Sequence, residues 1–201
     1  MELKQGFSDM ENSTVFDIEN REIGKIVDHY FTNDFRLEYF VIESELGKRM
    51  LLHKNDITGR ENERVYISKE RSELIPEDQE INALKGCHRF TIHRDKPVYS
   101  VDGHEIGKIE DNIFHADDHI SFVVGKHGFR DILTKIGLKQ ELQIIVPYTY
   151  VLDISLSGLR ITETKDFVEM RAPYARIVYE KMSLQKQLGS QIKLDFFRMI
   201  R

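Results

Sequence analysis

A single cysteine, Cys87, in 201 residues excludes an intramolecular disulfide and every Cys-x-x-Cys metal or redox motif. Long apolar runs are also missing. No stretch approaches the roughly 18 residues that a membrane-spanning helix needs. The opening Met1-Glu2-Leu3-Lys4-Gln5 has no apolar signal-peptide core, so the chain reads as cytoplasmic. Proline is scarce, at four residues. The motifs of several enzyme classes are absent too: there is no Gly-x-Ser-x-Gly elbow, no Gly-x-x-x-x-Gly-Lys phosphate loop and no dinucleotide fingerprint. What remains is 40% hydrophobic and 31% charged, enough apolar surface for a core and too much for a disordered chain.

The formal charge of -5 is unevenly spread. From Met170 onward seven basic residues face two acids, so the rest of the chain is strongly acidic and carries a basic tail. An acidic body repels phosphates. This weighs against nucleic-acid binding, except indirectly through a ribosomal particle.

Laid on itself at a shift of 83 residues, the chain repeats. Val15 to Asp28, VFDIENREIGKIVD, matches Val98 to Asp111, VYSVDGHEIGKIED, without a gap. The match runs on from Phe31 and Asp34 to Phe114 and Asp117, from Leu37 to Ile120, and from Val41 to Val124. Later, Leu52 to Ile57 pairs with Val146 to Val151, each followed by a polar turn and a final alternating strand. Asn20-Arg21 and Gly103-His104 fall where a tight hairpin turn is expected, as do Asn33-Asp34 and Ala116 to Asp118. Short strands with frequent turns predict a small closed or partly closed β-barrel in each unit.

The phrase at 98 to 111, followed by a hairpin and then Ile144-Ile-Val-Pro-Tyr-Thr-Tyr-Val151, resembles the PRC-barrel family, whose barrel also forms the C-terminal domain of the RimM ribosome-maturation factor. The first unit departs from the pattern, with His53 in place of the usual Pro and Asn20 in place of the usual Gly. The resemblance implies a mainly β chain of two tandem small PRC-type β-barrels followed by a C-terminal α-helical tail. It also implies a non-catalytic, protein-binding adaptor or scaffold. A RimM-like small-subunit assembly factor and a membrane-associated or photosynthetic accessory subunit stand as alternatives.

The expected divisions are 1-75 for the first unit, 76-166 for the second with an insertion at 126-141, and 167-201 for a basic amphipathic tail. Ser68 to Glu80, polar and broken by Pro76, reads as the linker. Ile81 to Gly86 then leads into the second unit, and Leu3 to Gly6 is either its counterpart or a coincidence. Partner-binding candidates are Arg176, Lys181, Lys186, Lys193, Phe196, Phe197 and Arg198 on the tail, with Ile132, Leu133 and Ile136 on the insertion. The tail's apolar face either packs on the second unit or a second copy, giving a homo-oligomer, or engages a protein partner or an anionic membrane surface.

Neither a cofactor, a metal nor a catalytic set is expected. His115 and His119 have an i, i+4 spacing but sit on a hairpin tip whose twin, Thr32 to Arg36, lacks histidine, and read as a polar turn. Cys87, His88 and His93 form a second weak trio. His104-Glu105 meets Lys108 where a zinc-protease motif requires histidine. The charged residues shared by both units, Glu22/Glu105, Lys25/Lys108 and Asp28/Asp111, suit structure better than catalysis because they occur twice.

Overall fold

The computed structural model describes residues 5–79, 84–125 and 143–168. The chain is mainly β. Its strands are β1 (Gln5–Gly6), β2 (Thr14–Phe16), β3 (Glu22–Thr32), β4 (Leu37–Glu43), β5 (Arg49–His53), β6 (Ile57–Glu61), β7 (Arg64–Ile67) and β8 (Ile75–Pro76). There follow β9 (Cys87–Arg89), the one-turn helix α1 (Phe90–His93), β10 (Pro97–Tyr99), β11 (Glu105–Phe114), β12 (Ile120–Gly125), β13 (Gln143–Val146), β14 (Val151–Ser155) and β15 (Gly158–Ile161).

Two sheets result, one in the order β6-β7-β2-β3-β4-β5-β8 with β9 added on β3, the other β13-β12-β11-β10-β15-β14 with β1 added on β11. Each is an open path among the described residues, where the sequence predicts a closed or partly closed barrel. The pairing repeats in detail. Val15 stands opposite Gly24 with a register shift before Phe16 and Glu22, as Val98 stands opposite Gly107 with a shift before Tyr99 and Glu105. β2 runs parallel to β7 as β10 runs parallel to β15.

The repeated local sequence has physical causes. A Cβ on Gly24 would lie 2.3 Å from the Glu43 carbonyl oxygen, and one on Gly107 2.2 Å from that of Gly125, so each strand crossing admits only glycine. The hairpin tips turn through positive φ at Asn20 (61°) and Gly103 (82°), and Asn is a residue that tolerates this region. His53 and Pro147 enter the turn after β5 and β13 at φ -65° and -60°, so the histidine adopts the conformation that proline fixes covalently.

Three readings of the sequence need correction. In the first unit one extra residue, Glu38, enters β4, since Leu37 pairs with Phe31 but Tyr39 with Tyr30. Val41 therefore faces Asp28 as Val123 faces Asp111, and its structural twin is Val123, not Val124. Ser68 to Gln79 is not a plain linker: Leu74 is buried, and Ile75–Pro76 pairs with β5 at the sheet edge, a position that tolerates proline. The match of Leu3 to Gly6 with Ile81 to Gly86 also fails at its described end, where Gly6 corresponds to Arg89 and not to Gly86. Gln5 pairs with Phe114 as His88 pairs with Phe31, which places Gln5 opposite His88 in the repeat.

That last pairing exposes an exchange. The segment that precedes the first unit lies on the second sheet, and the segment that precedes the second lies on the first. The buried apolar residues form one continuous cluster drawn from both sheets, with Phe7, Phe90, Phe31, Phe114, Phe40 and Phe122 all fully buried. Each such side chain contributes roughly 1.5–3 kcal/mol on burial.

Candidate functional site

The polar residues that could carry chemistry converge where the two sheets meet. Asp28 on β3 and Asp111 on β11 are buried and do the same work for opposite segments. Asp28 accepts the Thr91 backbone N–H at 3.2 Å, the Thr91 hydroxyl, and Arg89 Nε at 2.5 Å. Asp111 accepts the Ser8 backbone N–H at 3.1 Å and the Ser8 hydroxyl at 2.7 Å. Ser8 and Thr91 are twins in the repeat, so each unit's aspartate holds the other unit's leading segment. Burial raises the pKa of Asp111 against the opposing pull of the Ser8 hydrogen bonds.

Between these clasps, residues meet their own counterparts. Glu11 accepts two hydrogen bonds from the Arg94 guanidinium, both 3.0 Å. His29 Nε2 accepts from Asn112 Nδ2 at 3.0 Å. Phe7 meets Phe90 edge-on, ring centroids 5.5 Å apart. Arg36 and His119 form an antiparallel bridge, flanked by Leu37 N–H to Asp118 carbonyl and Ile120 N–H to Phe35 carbonyl, both 2.8 Å. Each of these pairs is separated by 83 residues, and a residue that contacts its own equivalent lies on a two-fold axis. The units are therefore related by a pseudo-dyad running through all four pairs.

His29 is the most perturbed group on that axis. It is wrapped by Phe7 (4.5 Å), Phe90 (4.9 Å) and Phe114 (5.1 Å), and burial together with the Arg94 charge lowers its pKa to about 3. It is a neutral structural imidazole.

Glu22, Glu105 and Lys25 are exposed, away from buried Asp28 and Asp111. His119 stacks on Tyr148 at 4.0 Å and bonds Asp117, while His115 bonds the Ser121 hydroxyl at 2.7 Å: a polar turn, as its sequence suggests. Among the described residues no three His, Cys, Asp or Glu side chains are grouped to hold a metal ion. His88 and His93 are brought together, rings 5.2 Å apart. The partner-binding candidates Arg176, Lys181, Lys186, Lys193, Phe196, Phe197, Arg198, Ile132, Leu133 and Ile136 lie outside the described residues. Sequence reading missed Glu11–Arg94 and His29–Asn112, since repeat matching rewards identity and these twins differ. Opposite charge at equivalent positions is the signal that marks the first pair.

Comparison with known families bears on the second half of the chain. The family model of the PRC-barrel domain matches residues 93–168. Residues 93–168 are a PRC-barrel domain. The match spans β10 to β15 and includes the Gly107 crossing and the Pro147 turn. Among solved structures, a crystal structure from Pseudomonas aeruginosa described as a 16S ribosomal RNA processing protein, RimM, aligns over 79% of this chain and 98% of its own, at 15% identity and a TM-score of 0.31. A likeness of that size bears on neither the fold nor the task of this chain. No curated protein matches it. Among the described residues no helix is long and apolar enough to cross a membrane.

Proposed function

We propose that the chain is a tandem pair of PRC-barrel units that works without catalysis, as an adaptor that binds a protein partner. The observation that carries this reading is the use made of the paired polar residues. Asp28, Asp111, Glu11, Arg94, His29 and Asn112 are all engaged in holding one unit to the other. The PRC-barrel match at 93–168 and the recurrence of its strand pairing in the first unit support the tandem reading.

The outer turns and edges are then the presented surface. They carry exposed aliphatic side chains at Leu46, Leu152 and Leu156, which are 90%, 55% and 71% exposed. Ile132, Leu133 and Ile136 in the insertion at 126-141, and Lys181, Lys186 and Phe196 in the basic tail, are further partner contacts proposed from sequence and lie outside the described residues.

Affinity isolation of the full chain from its native cells, followed by reconstitution with the purified partner, tests the reading. A protein bound at fixed stoichiometry, and lost from Leu152→Asp/Leu156→Asp or from Lys181→Glu/Lys186→Glu, is the expected result. A chain that binds no protein and instead floats with anionic vesicles would overturn it.

A further inference from the structure

The pseudo-dyad supplies an internal control, because each unit shows what packing alone requires of the other. The hairpins β6–β7 and β14–β15 are equivalents in one register: Gly59 opposes Tyr66 as Asp153 opposes Arg160, and Glu61 opposes Arg64 as Ser155 opposes Gly158. Their outer strands differ in chemistry. Residues 58 to 62 read Thr-Gly-Arg-Glu-Asn, whereas 152 to 156 read Leu-Asp-Ile-Ser-Leu. Leu152 and Leu156 are exposed, and Thr58 and Asn62 satisfy the fold at the same places, so the leucines need another reason. Ile92 shows the same exchange. Arg60 donates to the carbonyls of Asp9 and Asn62, so positions 9, 60 and 62 adjoin. Their equivalents are Ile92, Ile154 and Leu156, and of these Ile92 and Leu156 are exposed. The second unit therefore carries an apolar patch where the first is polar.

The patch borders an open strand edge. β14 pairs with β15 and, among the described residues, with no strand on its other side. Sheet edges are commonly guarded by charge, as Arg60 and Glu61 guard β6, but the one charge on β14 is Asp153. Hydrogen-bonded and open pairs alternate along an antiparallel ladder. Ser155 and Gly158 close the two-residue turn and Asp153 faces Arg160, which leaves Ile154 with its N–H and C=O turned outward. The register shift at Leu152 ends the regular stretch, so Leu152 and Leu156 flank a pairable edge of Asp153 to Ser155.

This edge is its own complement. Set antiparallel about Ile154, two copies bring Leu152 of one beside Leu156 of the other, Asp153 opposite Ser155, and Ile154 opposite itself. The outward groups of Ile154 then exchange two hydrogen bonds on a two-fold axis. Each Asp153 carboxylate meets a serine and not a second carboxylate, and the leucines cover one another at both ends. β6 fails the same comparison: Arg60 would face Arg60, and like charges directly opposite destabilise. An isologous contact requires such self-complementarity, whereas pairing with a foreign strand gives no reason for it.

We propose that β14 is a homodimer contact, which pairs antiparallel with β14 of a second copy of this chain about Ile154. The proposal rests on Leu152 and Leu156 being a presented surface, and it names the protein that meets them.

Sedimentation equilibrium of the purified full chain over a concentration series tests this. The mass should rise to twice that of one chain. Leu152→Thr/Leu156→Asn, which installs the first unit's residues at exposed positions, should raise the dissociation constant at least about a hundredfold, since two leucines are re-exposed on each chain. The register is read in a Cys87→Ser background. Chains carrying Asp153→Cys and chains carrying Ser155→Cys should cross-link when mixed, through a disulfide from position 153 of one to position 155 of the other, and neither should cross-link alone. A chain that stays monomeric up to about 1 mM, a dimer unaffected by the double substitution, or linkage from 153 to 153 overturns the proposal. The absence of any foreign protein in the affinity isolation is a separate result, which overturns the adaptor and leaves the dimer standing.

Discussion

Glu11 and Arg94 lie 83 residues apart and meet through two hydrogen bonds of 3.0 Å, each residue at the place in its own unit that the other holds in the second. A pair of like residues there would repel across the pseudo-dyad. Duplication followed by one change of sign turns that repulsion into a bidentate ion pair, the geometry in which Arg binds carboxylate most strongly.

Reversing one partner should therefore destabilise the chain, and reversing both should restore most of the loss. Arg94→Glu alone sets two acids together, whereas Glu11→Arg/Arg94→Glu rebuilds the pair in mirror order. A double-mutant cycle by urea denaturation should give a coupling of about 1–2 kcal/mol, within the range for contacting residues. Additive losses would contradict the contact.

His29 makes stability fall in acid. Its folded pKa, about 3, is below its unfolded value of 6.5, so the unfolded chain takes up a proton that the folded chain refuses. The contribution is complete above pH 6.5 and declines as pH drops toward 3, by at most about 1.4 kcal/mol per pH unit. Denaturation midpoints followed from pH 7 to pH 5 should drop less steeply in His29→Gln than in the native chain. Parallel slopes would show that the ring is not buried.

The two clasping aspartates are unequal. Asp28 pairs with Arg89 as well as Thr91, whereas Asp111 is engaged by the neutral Ser8. Asp28→Ala leaves the Thr91 backbone N–H and hydroxyl without their acceptor and Arg89 with Glu77 alone, and should cost about 2–4 kcal/mol, more than the loss of neutral donors only. Asp111→Ala should cost about 1–3 kcal/mol, the scale for an unsatisfied neutral donor. Chemical denaturation of both variants checks the order.

Gly24→Ala and Gly107→Ala should be alike in effect, because the new methyl meets a carbonyl oxygen at 2.3 or 2.2 Å in either unit. Each should cost about 1–3 kcal/mol or more, as overpacking does. Gly59→Ala meets nothing within 4 Å and should stay within about 0.5 kcal/mol of the native chain.

Much of the strand framework was legible because its causes are local. The Asn20 and Gly103 turns and the glycine of Glu-Ile-Gly-Lys each fix a nearby contact, and repetition doubled the signal. Glu38 broke the gapless match without a mark, since an extra residue in a strand changes register but not composition. The exchange of Gln5–Gly6 and Cys87–Arg89 between sheets was hidden for another reason. Two- and three-residue strands have no period to read, and their partners lie more than 50 residues away. His29 and Asn112 looked like ordinary polar strand residues until the dyad brought them together. The candidates on the insertion and tail fall outside the described residues, so the partner surface there stands as proposed from sequence.

The closing of the two units on their own equivalents is tested most directly at Arg36 and His119. These residues face each other in the bridge, with the flanking hydrogen bonds made by their neighbours, which is the close, non-hydrogen-bonded kind of antiparallel pair. In a Cys87→Ser background, Arg36→Cys/His119→Cys should oxidise to one intramolecular disulfide in the monomer, found by mass spectrometry of the peptides. Free thiols after oxidation, or linkage only between chains, would contradict a pseudo-dyad through residues 83 apart.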